Sequence, residues 1–245
     1  MEEPRFVMFG PDHRGALGAL SLAIVASVLF VRRDPGGAGA RRLALAVVAA
    51  LPALWTVENA VAWAAGWISW EMLPLHLCDV SLVLAWVALV TRRIEVVEPL
   101  YFFASAGTLP ALLTPELAQG FPELRFLVYF LHHGLTLLAT AVLILGFRRV
   151  PRPGAWWRAF FLLNAYAAAV TPVNLLLDTN FLYLRAKPSA QTPFDWFGPW
   201  PFYILTLEAA ALTIFFLLDL PLEPLRRRWA SFPSTLELRQ PRGRP

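Results

Sequence analysis

Charged residues are scarce in this 245-residue chain, since Asp, Glu, Lys and Arg together make up only 16% of it. Soluble domains carry about 25% charged residues, so this chain has too few to cover a water-facing surface. Cysteine is scarcer still, with Cys78 as the single residue, which excludes an intramolecular disulfide and any multi-cysteine metal cluster. The scarcity of charge rules out a soluble globular protein, and we expect neither a cofactor nor a bound metal.

Apolar residues are abundant and occur in long runs. They make up 58% of the chain, and the mean hydropathy is +0.55. A bilayer core takes about 20 helical residues, and runs of about that length predict an all-α, polytopic membrane protein with about seven transmembrane helices. The fourth run is the weakest because Pro110 interrupts it. The predicted spans are residues 15–31, 43–67, 72–90, 96–113, 124–147, 158–177 and 200–220.

The basic residues predict how the chain is oriented. Most of the 21 Lys and Arg residues follow the first, third, fifth and seventh spans, and basic residues near span ends are retained in the cytoplasm. We therefore expect the N-terminus outside and the C-terminus in the cytoplasm of the cell membrane. The net charge of +4 then reflects topology, and no nucleic-acid partner is expected. The predicted units are an N-terminal segment (1–14), a membrane domain (15–220) and a basic, disordered tail (221–245).

Polar side chains inside the spans indicate a functional layer. An ionisable group at mid-span costs about 2.5–3.5 kcal/mol on insertion scales. Counted at about 1.5 Å per residue, Cys78 lies roughly 9 Å, and His132 and His133 roughly 12–14 Å, below the predicted outer boundary. The alternative is a purely structural role, in which such residues only hydrogen-bond to neighbouring helices. The other predicted members of the layer are His76, Asp79, Glu58, Asn59, Asn174 and Glu208.

Cysteine and histidine at matched depth are typical of nucleophilic catalysis. A thiol becomes a competent nucleophile when an imidazole accepts its proton, and a thioester intermediate suits acyl transfer. Asp79 or Glu58 is a candidate to orient that imidazole. Periodicity places His132 on a polar helix face and His133 on an apolar one, which leaves open which of them acts. A zinc site is disfavoured because adjacent histidines diverge by about 100° on a helix.

The loop after the sixth span, residues 178–199, combines hydrogen-bonding and aromatic side chains. Its position beside the polar layer predicts a lid or a contact to a lipid headgroup. Arg185 and Lys187 are basic residues on the predicted outer side, which favours a role in binding a phosphate or carboxylate; the alternative is two solvated loop charges. The candidate substrate-binding residues of this loop are Asp178, Asn180, Tyr183, Arg185 and Lys187.

Four sequence motifs carry a family resemblance. They are Leu73-Pro-Leu-His-Leu-Cys-Asp79, His132-His-Gly134 and the segments 179–188 and 198–205. In this order they resemble the bacterial YwaF family of integral membrane proteins, which is similar to eukaryotic transmembrane protein 164. The resemblance implies a cysteine-dependent acyltransferase that uses a phospholipid as acyl donor and a lysophospholipid as acceptor. It implies Cys78 as nucleophile and His133, which precedes a glycine, as the basic partner. Asp178 departs from the small residue expected before Thr-Asn.

Two other functions are compatible with the same residues. With water as the acceptor, the same chemistry gives a lipid ester hydrolase. A non-enzymatic sensor or transporter would hold a small or lipid ligand in the polar layer, although the scarcity of ionisable groups in the predicted inner halves disfavours ion-coupled transport. The sequence makes no prediction of oligomeric state.

Overall fold

The computed structural model describes residues 4–64, 66, 69–188 and 192–230. Among these residues, seven helices are long and apolar enough to cross a membrane, which confirms the predicted all-α, multi-pass fold. Helices α4 and α5 belong to one span, and α8 and α9 belong to the last one, Phe202–Trp229. The helices are α1 (Pro11–Arg33), α2 (Ala38–Ala64), α3 (Leu77–Thr91), α4 (Ile94–Phe103), α5 (Leu109–Leu113), α6 (Leu124–Ala141), α7 (Ala155–Leu177), α8 (Phe202–Asp219) and α9 (Leu222–Ala230).

Successive spans run in opposite directions and give the bundle two distinct ends. At the N-terminal end, the Phe6 amide donates to the Ala118 carbonyl, which joins the start of the chain to the loop before α6. At the opposite end, the Gly36 amide donates to the Gly146 carbonyl, which joins the α1–α2 turn to the end of the fifth span. The described loops of the N-terminal end are residues 4–10, 69–76, 114–123, 178–188 and 192–201, and those of the opposite end are 34–37, 92–93 and 147–154.

Helix α6 lies at the centre of the bundle. In its span 67% of the apolar window is buried, against 6% for the span of α1. It packs against α1, α2 and α3. A Cβ atom at Gly134 would lie 2.5 Å from Cδ2 of Leu20, so glycine permits the close approach of α1. Large apolar side chains on the outer helices, such as Leu22 and Leu176, stay exposed, as lipid-facing residues do.

The fourth span is continuous but contains a π-helical turn, Ala104–Thr108. Pro110 lacks an N–H group and cannot donate to the carbonyl four residues before it, where its ring would also clash. The wider turn just ahead of Pro110 accommodates this defect. The interruption expected at Pro110 is therefore a local bulge, and it brings Gly107 within 2.8 Å, measured from its ideal Cβ position, of Leu77 Cδ2 at the start of α3.

Helix α3 begins five residues later than the predicted start of the third span at residue 72. Trp70–Met72 form a 3-10 turn, and Leu73 is extended, with φ −61° and ψ 136°. The reason is Pro74, which disfavours the α conformation in the residue before it. Cys78 is therefore the second residue of a 15-residue helix that is about 23 Å long. Together with the preceding 3-10 turn, α3 forms the third span, Trp70–Thr91.

Glu98, the ionisable residue that falls outside the predicted outer layer, is the centre of an ion cluster at the opposite end. Its carboxylate is 2.7 Å from Arg152 Nε and 2.9 Å from an Arg158 Nη, and its side chain is only 4% exposed. The hydrogen bonds to Glu98 raise the pKa of the Arg152 guanidinium. The cluster ties α4 to α7 and needs no functional explanation.

The predicted disordered tail begins with a helix, α9. Leu222 is buried in an aromatic cluster that includes Phe215, and Arg226 bonds to Asp219 and to the Pro151 carbonyl. These contacts hold the first part of the tail against the opposite end. Residues 231–245 lie outside the described residues.

Candidate functional site

Cys78 lies in the first turn of α3, facing the π-helical turn of the fourth span. The thiol is half-buried and lies beside Thr108, whose buried hydroxyl oxygen has no hydrogen-bond partner by geometry. Tyr129 of α6 and Tyr183 of the loop after α7 are close enough to interact with it electrostatically. Three separate parts of the chain therefore surround the only cysteine.

The start of α3 is held in place by side chains. Asp79 accepts a hydrogen bond from the His76 amide at 3.2 Å, and the Tyr166 hydroxyl donates to the Leu75 carbonyl at 2.8 Å. The amides of the first helical turn have no carbonyl partner within the helix, and the helix dipole favours negative charge there.

His133 makes a single hydrogen bond, and that bond defines its tautomer. Its Nδ1 lies 2.8 Å from the Tyr129 carbonyl oxygen, and its ring stacks on the Tyr129 ring at 4.1 Å. Because a carbonyl can only accept, Nδ1 carries the proton, and Nε2 of the neutral ring is left as an acceptor. His133 is thus a buried imidazole that hydrogen-bonds to Tyr129, and Tyr129 in turn interacts electrostatically with Cys78.

His132 faces different partners. Its Nδ1 lies 3.9 Å from a carboxylate oxygen of Glu58, and Asp79 is close enough to interact with it electrostatically. Its Nε2 is buried without a hydrogen-bond partner. The adjacent histidines therefore serve two different groups of residues, one around Asp79 and one around Tyr129. Among the described residues neither imidazole hydrogen-bonds to the Cys78 sulfur.

A groove of about 320 Å³ opens at the N-terminal end beside these residues. It lies between α2, α3, α6 and the loops of that end. Asn59 and Tyr129 line it, and its charged lining is dominated by carboxylates. Such a lining attracts a cationic group. The ionisable groups that line the groove are Glu58, Glu71, His76, Asp79, Glu116 and Arg125.

Glu71 and Glu116 are site residues that the sequence reasoning missed. Both lie in loops outside the predicted spans, where an acidic residue carries no cost and gives no signal. Their role becomes visible through contacts: Glu71 Oε2 is 3.7 Å from His76 Nε2, and Glu116 accepts a hydrogen bond from the Tyr183 hydroxyl at 2.7 Å.

The predicted substrate loop is organised by Asn174. This buried amide donates to the Phe181 carbonyl and accepts from the Phe181 amide and the Thr179 hydroxyl. Arg185 bonds to Asp178 at 2.7 Å and to backbone carbonyls, so its charge is used within the loop. Asn174 therefore shapes the loop, although it does not line the groove.

The far part of the loop contacts the groove through Tyr183. Burial, followed by the hydrogen bond to Glu116, raises the pKa of the Tyr183 phenol, which stays protonated and donates. The Asn180 amide donates to Glu71 at 2.9 Å. Lys187 lies 3.4 Å from the Asp195 carbonyl and 5.7 Å from the Tyr203 ring, within the same layer of loops. The loop is thus joined to the groove residues Glu71 and Glu116 by hydrogen bonds.

Glu208 is not brought together with the other site candidates. It accepts a hydrogen bond from Asn164 at 2.9 Å, which joins α8 to α7, and it is absent from the groove lining. Of the residues predicted to lie at one depth, Glu58, Asp79 and His132 are close enough to interact. For Glu208 depth alone was insufficient, because residues at one level can face different sides of a bundle.

Comparison with known proteins gives one match. The family model described as the TMEM164 family matches residues 8–219, which covers all seven spans up to the end of α8. Comparisons with curated proteins and with solved structures gave no match. The family match confirms the resemblance to transmembrane protein 164 that the motifs predicted. This seven-helix membrane protein belongs to the TMEM164 family.

Proposed function

We propose that this protein is a membrane-embedded acyltransferase that moves a fatty acyl chain from a phospholipid to a lysophospholipid through a thioester on Cys78. The observation that carries the proposal is the placement of the single cysteine in the first turn of α3, beside Tyr129 and its stacked His133. Lone buried cysteines act as small apolar residues, whereas this one directly precedes Asp79, which lines a groove rich in carboxylates.

In the first half-reaction, Nε2 of His133 accepts the Cys78 proton and the thiolate attacks the ester carbonyl carbon of the donor. Negative charge develops on the carbonyl oxygen, and the amides at the start of α3 are suited to stabilise it. The carbon–oxygen ester bond breaks, and His133 returns the proton to the departing lysophospholipid. The acyl group remains on sulfur.

In the second half-reaction, His133 takes the proton from a hydroxyl of the acceptor lysophospholipid. The hydroxyl oxygen attacks the thioester carbon, the carbon–sulfur bond breaks, and the Cys78 thiolate regains the proton. The hydrogen bond from Nδ1 to Tyr129 keeps the same tautomer available in both steps. Catalytic hydrogen bonds often tighten only when substrate is bound, so a direct bond from Nε2 to sulfur is not required in the free protein.

The groove indicates the headgroup class of the lipid. Glu58, Glu71 and Glu116 are each part of a lining whose charge is mainly negative, and Asp79, the residue after Cys78, also lines the groove. A headgroup that ends in an ammonium complements this charge. We therefore propose that zwitterionic amine phospholipids are the preferred substrates and that their headgroups bind in the groove.

Hydrolysis is the second candidate, and the polarity of the groove favours it. A cavity of about 320 Å³ lined by carboxylates has room for water at about 30 Å³ per molecule. Water that reaches the thioester would release a free fatty acid. The two outcomes share every step up to the acyl-enzyme and are distinguished by the product.

The proposal is tested by intact-protein mass spectrometry after incubation of the purified protein in phosphatidylethanolamine vesicles. We expect an acyl-sized mass increase that hydroxylamine removes, as for a thioester. Because the chain has one cysteine, Cys78→Ala and Cys78→Ser must both lose a thioester adduct. Added radiolabelled lysophospholipid should discharge it into diacyl lipid, whereas release as free fatty acid would identify a hydrolase.

Two results would overturn the proposal. An adduct of the same size and stability in Cys78→Ala would show that the acyl group is on another residue. No adduct in any of several diacyl lipids, with a correctly folded protein and excess thiol trap, would remove the thioester step and favour a binding protein.

A further inference from the structure

A second pocket lies at the opposite end of the bundle, about 150 Å³ in volume. It is formed where the end of α1, the loop after α6 and the helix α9 meet. Among the described residues, the charged side chains that line it are all cationic, Arg32, Arg148 and Arg228, and no carboxylate is among them. The apolar part of the lining is Pro35, Leu145, Leu225 and Trp229.

Each arginine is presented by a different element. Arg32 is in the last turn of α1 and makes no salt bridge within the described part of the chain. Arg148 follows the π-helical turn Val142–Gly146 and adopts a left-handed backbone with φ 55°. A non-glycine residue in that region is uncommon, and strained residues cluster at ligand sites.

The third arginine belongs to α9, which forms the end of the last span, Phe202–Trp229. Two neighbours on this helix are paired with carboxylates: Arg226 with Asp219 at 2.6 Å and Arg227 with Glu223 at 2.8 Å. Arg228 and Trp229 line the pocket. Tryptophan at this level is typical of the membrane–water interface, so the pocket is placed where lipid headgroups lie.

We propose that this pocket binds the phosphate of an anionic lipid headgroup at the end of the bundle opposite the candidate active site. Guanidinium groups bind phosphate oxygens through paired, charge-assisted hydrogen bonds. Basic pockets between membrane helices on the cytoplasmic side bind the headgroups of anionic lipids, and the distribution of basic residues predicts that this end is cytoplasmic. The same chemistry would accept free phosphate, and the experiment separates the two sources.

The test uses native mass spectrometry of the full chain in detergent with added phosphatidylglycerol, phosphatidylcholine or inorganic phosphate. The pocket variant is Arg32→Gln with Arg148→Gln. The control is Arg33→Gln with Arg149→Gln, which removes the same charge from adjacent residues that do not line the pocket. We expect retained phosphatidylglycerol to fall about tenfold or more in the pocket variant and about twofold or less in the control.

A variant with one substitution tests the proposal independently if the double variant does not fold. Arg228→Gln on the exposed face of α9 should reduce retention about threefold or more, while Arg227→Gln leaves it unchanged. Selective loss of phosphatidylglycerol without phosphate binding identifies a lipid site. Competition by millimolar phosphate, with the same dependence on Arg32 and Arg148, identifies a phosphate site. Equal losses in pocket and control variants, or equal retention of phosphatidylcholine and phosphatidylglycerol, would overturn the proposal.

Discussion

The imidazole of His133 donates from Nδ1 to the carbonyl oxygen of Tyr129 at 2.8 Å, one turn earlier in the same helix. A backbone carbonyl is held in place by the helix and does not titrate. This contact therefore defines the tautomer more firmly than a flexible side chain would. In His132 the corresponding nitrogen faces Glu58 at 3.9 Å. The two adjacent histidines are therefore not equivalent.

The first prediction concerns these histidines. His133→Gln should slow acylation of Cys78 by about 10²- to 10⁴-fold, the usual contribution of a general base. His132→Gln should have a clearly smaller effect, because His132 faces Asp79 and Glu58 instead. The measurement is the time course of the thioester mass. A larger loss in His132→Gln than in His133→Gln would reverse the assignment.

The second prediction concerns headgroup preference. Glu58→Gln or Glu116→Gln should reduce the acylation rate with an amine phospholipid, relative to phosphatidylglycerol, by about two- to fivefold, as for a half-exposed ion pair. The matched control is Glu123→Gln, at the same end of the bundle and outside the groove lining. An unchanged ratio in both groove variants would show that the headgroup lies elsewhere.

The third prediction concerns closure of the loop. Tyr183→Phe removes the hydrogen bond to Glu116, which should raise hydrogen exchange in residues 178–188 by about fivefold, the equivalent of about 1 kcal/mol. The unfolding temperature of the bundle should change little, because the contact is at the surface. Exchange that rises equally throughout α6 would indicate global destabilisation and contradict a local role.

The fourth prediction concerns Asn174. Asn174→Leu has a similar volume but leaves the buried amide of Phe181 without its partner, which costs about 1–3 kcal/mol. We expect a lower unfolding temperature in detergent, followed by tryptophan fluorescence. Asn59→Leu is the control: its amide bonds only to the Trp55 carbonyl of its own helix, and the loss should stay within about 0.5 kcal/mol.

The fifth prediction concerns the ion cluster at the opposite end. Glu98→Gln leaves Arg152 and Arg158 facing each other without their shared carboxylate. The loss should be below the about 3–5 kcal/mol of a fully buried pair, because the side chains of Arg152 and Arg158 are 49% and 34% exposed. Glu95→Gln, a more exposed partner of Arg152, should cost about 1 kcal/mol or less. Detergent-based unfolding curves of both variants provide the comparison.

The sequence by itself determined the number of spans and the residues worth examining. Hydropathy is a local property, so runs of about 20 apolar residues predict helices without knowledge of their neighbours. The same scarcity of polar groups inside the spans singled out Cys78, His132 and His133. The late start of α3 also has a local cause, Pro74. The resulting position of Cys78 in the first turn of α3 was not predicted.

Only the tertiary structure decided which of these residues meet. Glu58 and His132 are 74 positions apart in the chain, and their contact depends on how α2 packs against α6. Glu71 and Glu116 join the groove because two loops converge, while Glu208, at a comparable depth, faces α7. Depth follows from counting residues, but direction around a helix axis acquires meaning only when the neighbouring helices are in place.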